Sequence, residues 1–369
     1  MKNLISFCKR EAILCLAALA AVLSALWVYP SPEYIHYFDW RTLSQLFCLM
    51  LVVAGFQSLG IFSACIHRLL KHIRNTRQLA ALLVLACFFT SMLITNDVAL
   101  LTFVPFAILA LRQTGQSRHM ILVLIMQTLS ANLGSMLTPL GNPQNLYLYG
   151  LAHLSLPAFL RIMAPTSGIS LVLLILLLFC LPKQPLTENI ALGASDSMPH
   201  NKTIAFSGLF LICLLCVLHI LPYPVMLAII IVSVFFLDRH LFRHVDYSLL
   251  ATFAAFFIFV GNLKQMPAVS SLLQSFVTGR EILVSVLSSQ IISNVPSAVL
   301  LSGFTENYQD LLLGVNIGGL GTLIASMASL ISFKFYCREK DSQKGRYLLW
   351  FTLLNLGFLA ALLAATLLV

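Results

Sequence analysis

Residues 131–145 read ANLGSMLTPLGNPQN, and they interrupt an apolar run that extends from 120 to 150. Asn132, Asn142, Asn145, Gly134, Gly141, Pro139 and Pro143 all fall in this stretch. A lipid-facing helix cannot continue through it, because proline frees backbone groups that find no partner in hydrocarbon. The backbone must be covered by protein or line a cavity. Close helix packing would account for the glycines, but it does not call for so many amide side chains.

A milder version follows in the second half of the chain. VNIGGLGT (315–322) repeats ANLGSMLT (131–138), with Asn316, Gly318 and Thr322 standing for Asn132, Gly134 and Thr138. Two further pairs keep the same order. FDWRTL with LVVAG (38–55) resembles VDYSLL with FVG (245–261), and ITNDVALL (94–101) resembles ISNVPSAVLL (292–301). Three ordered matches predict an internal duplication.

The surrounding composition belongs in a bilayer: of 369 residues 59% are hydrophobic and 9% charged, with a mean hydropathy of +0.94. Apolar runs cover roughly 12–30, 42–66, 79–111, 120–150, 157–181, 203–221, 223–237, 247–263, 281–304, 309–333 and 347–368. The first, preceded by Lys2, Lys9 and Arg10, is expected to be a transmembrane helix, since no small-residue cleavage site follows it. The net charge of +9 fits a cytoplasmic excess of Lys and Arg, with no basic stripe for nucleic acid. The nine cysteines, among them Cys15, Cys48, Cys65, Cys87 and Cys180 inside apolar runs, imply no disulfide framework. Cys213, Cys216 and His219 share a helix face but lack a fourth ligand, so no metal site is expected.

Two runs do not fit single crossings. As one helix 79–111 would be about 50 Å long against a hydrocarbon core of about 30 Å, and Thr95, Asn96 and Asp97 lie at its middle. The run 281–304 carries SNVPS (293–297) at its centre, where Pro296 disfavours helix at the residue before it. Both read as re-entrant hairpins. With that reading, all 22 Lys and Arg residues except Arg41, Arg161, Lys264 and Arg280 fall on the cytoplasmic side. If both runs crossed instead, Arg112, Arg118, Lys183, Lys202, Arg239 and Arg243 would move outside. The hairpin topology has nine crossings, a cytoplasmic N-terminus and an external C-terminus. The expected organisation is a first transmembrane repeat at 1–182, a cytoplasmic linker at 183–202 and a second repeat at 203–369. Their opposite orientation predicts inverted repeats, a plan that puts substrate and coupling ion near the midplane, between broken helices.

The amides of Asn96 and Asn294 stand at matching hairpin tips, placed to close a polar chamber from opposite sides or to cap the second limb of each hairpin. Asp97 is the acidic residue placed deep in the membrane, where a carboxylate is costly and marks function unless it caps a helix. With no Lys or Arg at that depth, an anion would be held by amides, hydroxyls and helix N-termini.

The motifs TNDVALLTFVP, NLGSMLTPLGNPQN, SNVPSAVLL and VNIGGLGTLIASMASLI closely resemble the ion-transporter superfamily that joins the arsenical pump membrane protein, the NhaD sodium/proton antiporter and citrate and dicarboxylate carriers. The likeness is greatest to its short YbiR-type anion permeases. It implies an all-α polytopic fold with two inverted repeats, each holding a re-entrant hairpin and a broken helix, often in a homodimer that moves as an elevator. In the dicarboxylate carriers both tips read Ser-Asn-Thr and hold substrate and sodium; here they read Thr95-Asn96-Asp97 and Ser293-Asn294-Val295.

The expected substrate-binding residues are therefore Asn96, Asn132, Gly134, Thr138, Gly141, Asn142, Asn145, Ser293, Asn294, Asn316, Gly318 and Thr322. Thr95, Asn96 and Asp97 are the expected ion-coupling group. The partners expected are a small ion or molecule and the lipid bilayer of a cell membrane, with Na+ or H+ as coupling ion and no other cofactor. A secondary transporter of an inorganic or carboxylate anion is the leading reading, and a sodium/proton antiporter or arsenite exporter its rival. An enzyme is disfavoured, because paired carboxylates, a Ser/Lys or Ser/His pair and HExxH are all missing at membrane depth.

Overall fold

The computed structural model describes residues 11–62, 70, 73–186 and 200–368. Lys2, Lys9, Arg10, Cys65, Arg68, Lys71 and most of the linker expected at 183–202 lie outside the described residues. Among those described, the chain is helical, with no β-strand. The first half contains α1 (Ala12–Ala25), α2 (Trp40–Ser58), α3 (Thr76–Thr90), α4 (Asn96–Gln113), α5 (Met120–Ser135), α6 (Pro143–Leu151) and α7 (Leu156–Phe179). The second contains α8 (His200–Val217), α9 (Tyr223–Asp238), α10 (Tyr247–Lys264), α11 (Pro267–Val277), α12 (Glu281–Ile292), α13 (Asn294–Leu301), α14 (Tyr308–Ile317), α15 (Met327–Cys337) and α16 (Lys344–Leu368).

Among the described residues, 6 helices are long and apolar enough to cross a membrane: α4, α7, α8, α9 as extended to His244, α10 and α16. The extension, a 3-10 turn over Arg239–His244, lengthens a run that is short by itself. Large apolar side chains such as Phe236, Leu287 and Ile291 face outward, as lipid contact requires.

Both runs expected to be hairpins are split. α3 and α4 are separated by 91–95, and α12 and α13 by Ser293 alone. Both interrupted segments are broken helices. α5 and α6 flank an irregular stretch at 136–142, and α14 and α15 one at 318–326. The second break is thus not the milder one. It is carried by Gly321 at φ +107° and by Gln290, whose amide donates to the carbonyls of Gly318 and Leu320, both at 2.9 Å.

The halves repeat one another in local chemistry. Asp39 caps α2 by accepting from Thr42 N at 3.0 Å, and Asp246 caps α10 by accepting from Leu249 N at 2.9 Å. At the hairpin tips Asn96 N donates to Gly141 O and Asn294 N to Ala325 O, each at 3.0 Å. Packing between the halves is reciprocal too: α1 lies on α10 and α9 on α2, while α15 packs on α4 and α6 on α13. Each broken helix therefore sends its second arm to the other half's hairpin. At the centre runs α5, buried at every position from Val123 to Ser135.

Ser293 turns the second hairpin with φ 75° and ψ 155° while fully buried. That region is open essentially to glycine and costs other residues about 1–3 kcal/mol. Ser293→Gly is expected to raise the midpoint of thermal unfolding, relief of strain outweighing the roughly 0.5–1 kcal/mol of added chain entropy. Ser293→Ala keeps the strain and should give no rise.

Candidate functional site

Half-helices create the site because each leaves its end groups unpaired in the middle of the protein. The N-termini of α4, α6, α13 and α15 meet there and are joined by side-chain amides. Asn132 of α5 accepts at Oδ1 from Asn96 Nδ2 (2.9 Å) and from Ser326 Oγ (3.1 Å). Asn316 of α14 accepts from Asn142 Nδ2 (3.1 Å) and donates to Asn145 Oδ1 (2.6 Å). Asn132 thus reaches the residue before α15 and Asn316 the residue before α6. Each first arm is tied to the second arm of the other half.

Backbone bonds close the circuit. Asn96 N is held by Gly141 O, next to Asn142, and Asn294 N by Ala325 O, next to Ser326. Asn96 and Asn294 turn their own Oδ1 atoms onto the following amides, Asp97 N and Val295 N, each at 2.9 Å. The expected capping role is not what these asparagines perform: Thr95 and Ser293 hold the cap positions, and Asn96 and Asn294 are the first residues inside α4 and α13. The duplication is inexact, since among the described residues no bond joins Asn294 to Asn316 as one joins Asn96 to Asn132.

The remaining expected residues do different things. Asn145 Nδ2 gathers the carbonyls of Ser135, Met136 and Thr138 at 3.0–3.3 Å, which satisfies the broken end of α5. Thr138 Oγ1 donates to Met92 O in the first hairpin, and Thr322 Oγ1 to Gln290 O (3.3 Å) in the second. These hydroxyls hold the hairpins to the breaks, and Thr322 is exposed. Gly134 and Gly141 permit backbone contact: a Cβ would stand 2.1 Å from Phe88 O at the first and 2.0 Å from Ser135 O at the second. At Gly318 it would stand 2.7 Å from Ser289 Oγ. The Ser293 hydroxyl makes long bonds of 3.4 Å to Asn294 Oδ1 and Ala325 O. Thr95 precedes α4 without a side-chain cap. Asp97 lies inside the first turn of α4 rather than at its cap, is half-buried and has no ion-pair partner among the described residues.

Several participants were not singled out from the sequence. Ser326 occupies the register of Asn142 in the duplication, and extending the Asn132/Asn316 match by ten residues would have found it. Ser135 and Gln144 lie within the interrupted stretch 131–145, whereas Gln290 carries no such signal. Unpartnered polar atoms remain at Asn132 Nδ2, Gln144 Oε1 and Ser329 Oγ, all buried. Atoms of this kind are costly unless they meet a ligand or water. No Lys or Arg hydrogen-bonds to the asparagine circuit among the described residues.

Residues 4–310 match the citrate transporter family model, a span that includes both hairpins and the first broken helix. The chain belongs to the citrate transporter family. It is accordingly a multi-pass membrane transporter, consistent with its apolar helices. This citrate transporter family chain is 33% identical over 302 residues, 80% of each protein, to inner membrane protein YbiR of Escherichia coli. It is 32% identical over 320 residues, 86% of each, to the uncharacterized transporter MJ0456 of Methanocaldococcus jannaschii. A 46 kDa membrane protein of Mycobacterium leprae is 25% identical over 334 residues.

Gly134→Ala is expected to force α3 from α5 and to lower stability by about 1–3 kcal/mol. Gly168→Ala, where an added Cβ meets nothing within 4 Å, is the control and should not lower it. Thermal unfolding of the purified variants checks both.

Proposed function

We propose that this transporter carries a small inorganic or carboxylate anion, driven by a proton or sodium gradient, through the asparagine circuit. The observation that carries the reading is the meeting of four half-helix N-termini with amide donors and, among the described residues, no hydrogen bond from a cationic side chain. Partial positive charge at helix N-termini favours an anion, and weak neutral donors release it more readily than a buried arginine would. Buried Asn132 Nδ2 and Ser329 Oγ, both unpartnered, supply further donors. Charge placement supports a cytoplasmic N-terminus, an external C-terminus and inverted repeats in an inner or plasma membrane. The reciprocal packing of arms and hairpins suits an elevator motion, in which hairpins and broken helices travel together. Asp97 is the coupling group in this proposal, one turn or less from Asn96 and free of a counter-charge. The same carboxylate is what favours the second reading, sodium/proton antiport or arsenite export.

Asn96→Ala and Asn294→Ala are expected to weaken anion binding about tenfold or more, the loss of roughly 1.5–3 kcal/mol for a hydrogen bond to a charged ligand. A thermal-shift screen of the wild type against citrate, succinate, sulfate, phosphate, arsenite and sodium finds the ligand first. Wild-type affinity in both variants would place the site elsewhere.

Asp97→Asn keeps shape but removes the titrating group. It is expected to abolish gradient-driven accumulation in proteoliposomes while substrate exchange persists. Accumulation with unchanged pH and sodium dependence would remove Asp97 from the coupling role, and sodium-for-proton exchange without anion flux would favour the second reading.

A further inference from the structure

A cavity of about 610 Å³ lies away from the asparagine circuit, where the ends of α4, α5, α15 and α16 come together. Arg112, Arg118 and Arg346 line it, with His119, Tyr336 and Glu339. We propose that this cavity is a second anion site, taking a phosphate-class oxyanion either free or as a lipid headgroup.

The first turns of two helices open into it. Ser117 to Ile121 brings the N-terminus of α5, and Gln343 to Arg346 brings that of α16, so both helices turn the partial positive charge of their dipoles toward it. The C-termini of α4 and α15 arrive at the same place, but Arg112 and Lys334 sit in their last turns and offset them. Arg112 forms an ion pair with Glu339, which is the carboxylate an incoming anion would replace. Neither Arg118 nor Arg346 has a carboxylate partner among the described residues. Arg118 Nε donates to His119 Nε2 at 3.0 Å, and Arg346 Nη1 to the Gln343 amide oxygen at 3.3 Å. Burial, with Arg118 beside it, pushes the His119 imidazole below its usual range, against a smaller opposing effect of Gln184. Tyr336 accepts from Gln343 N at 2.9 Å, which leaves its O–H to donate inward. Asp341 also lines the cavity. Three guanidinium groups, those of Arg112, Arg118 and Arg346, outnumber the two carboxylates of Glu339 and Asp341 there, and guanidinium groups match oxyanion geometry.

The place of this cavity in the fold gives it a consequence. Its walls belong to both halves, and α4, α5 and α15 carry Asn96, Asn132 and Ser326 near their other ends, about 20 Å away by helix rise. An oxyanion there would cross-link the α4–α5 turn to the α15–α16 turn. This inference does not depend on the substrate proposed for the asparagine circuit.

Inorganic phosphate is the probe, titrated calorimetrically into the full chain in phosphatidylcholine nanodiscs. Saturable binding is expected, weakened roughly tenfold or more by Arg118→Gln with Arg346→Gln, both exposed positions, and retained by Asn132→Ala. Retention of phosphatidylglycerol in native mass spectrometry by the wild type and not by the double variant supports the same site with a lipid headgroup as its source. Phosphate binding that survives the double variant, or is lost only in Asn132→Ala, overturns the assignment. Absence of both phosphate and phosphatidylglycerol binding in the wild type overturns it as well.

Discussion

The constraint on which everything else depends is the backbone hydrogen bond that a broken helix cannot make. Hydrocarbon has no water to satisfy the ends of α3 to α6 or α12 to α15, so protein atoms must do it. Asn145 collects three carbonyls at the end of α5, Gln290 takes the carbonyls at the end of α14, and Gly141 and Ala325 receive the hairpin amides. Polar residues at this depth are first of all structural. Function uses what the structure leaves over.

Such a solution favours duplication, because one half supplies what the other lacks. Asn132 accepts from Ser326 and Asn316 from Asn142, bonds that cross between halves and are separated by 194 and 174 residues. A single half would leave Asn316 Oδ1 and Ser326 Oγ without these partners, at a cost of about 1–3 kcal/mol for each buried group. The departures from symmetry are equally informative. Asp97 stands where the other tip has Val295, and a capping Asn142 stands where the other break has Ser326, whose hydroxyl caps nothing and turns to Asn132. The asparagine circuit is thus shared between the halves, whereas the carboxylate belongs to one.

Much of this was legible in the sequence, for a physical reason. A membrane helix is apolar along its whole length, so each proline, glycine or asparagine inside one is a signal, and TND, NPQN and SNVPS marked the hairpins and the first break directly. The second break was underread because Gly318, Gly319 and Gly321 look like packing glycines, and the glutamine that sustains the break lies on another helix. Register did what composition could not: the pairing of Asn132 with Asn316 carries Asn142 onto Ser326. Gln290 was invisible, since one glutamine in the polar run SSQ has nothing to distinguish it until the fold brings it to Gly318. The separate duties of the threonines were hidden likewise, for a hydroxyl six residues after an asparagine looks the same whether it faces a ligand or the carbonyl of Met92.

These divided duties decide what a change at the site can mean. Asn132 Oδ1 holds Asn96 and Ser326 while its Nδ2 is unpartnered, so one side chain fixes the hairpin with its acceptor and keeps its donor uncommitted. Asp97 contributes to no such bond among the described residues, and it lies on the hairpin that Asn132 holds. In the proposed coupling role, a proton or sodium ion at Asp97 would change the charge at the N-terminus of α4, where a negative carboxylate and a negative substrate would compete for the same helix dipole. Neutralising the carboxylate would then favour an anion at the neighbouring donors. Coupling of that kind needs only electrostatics at one hairpin tip, without contact between the two ligands.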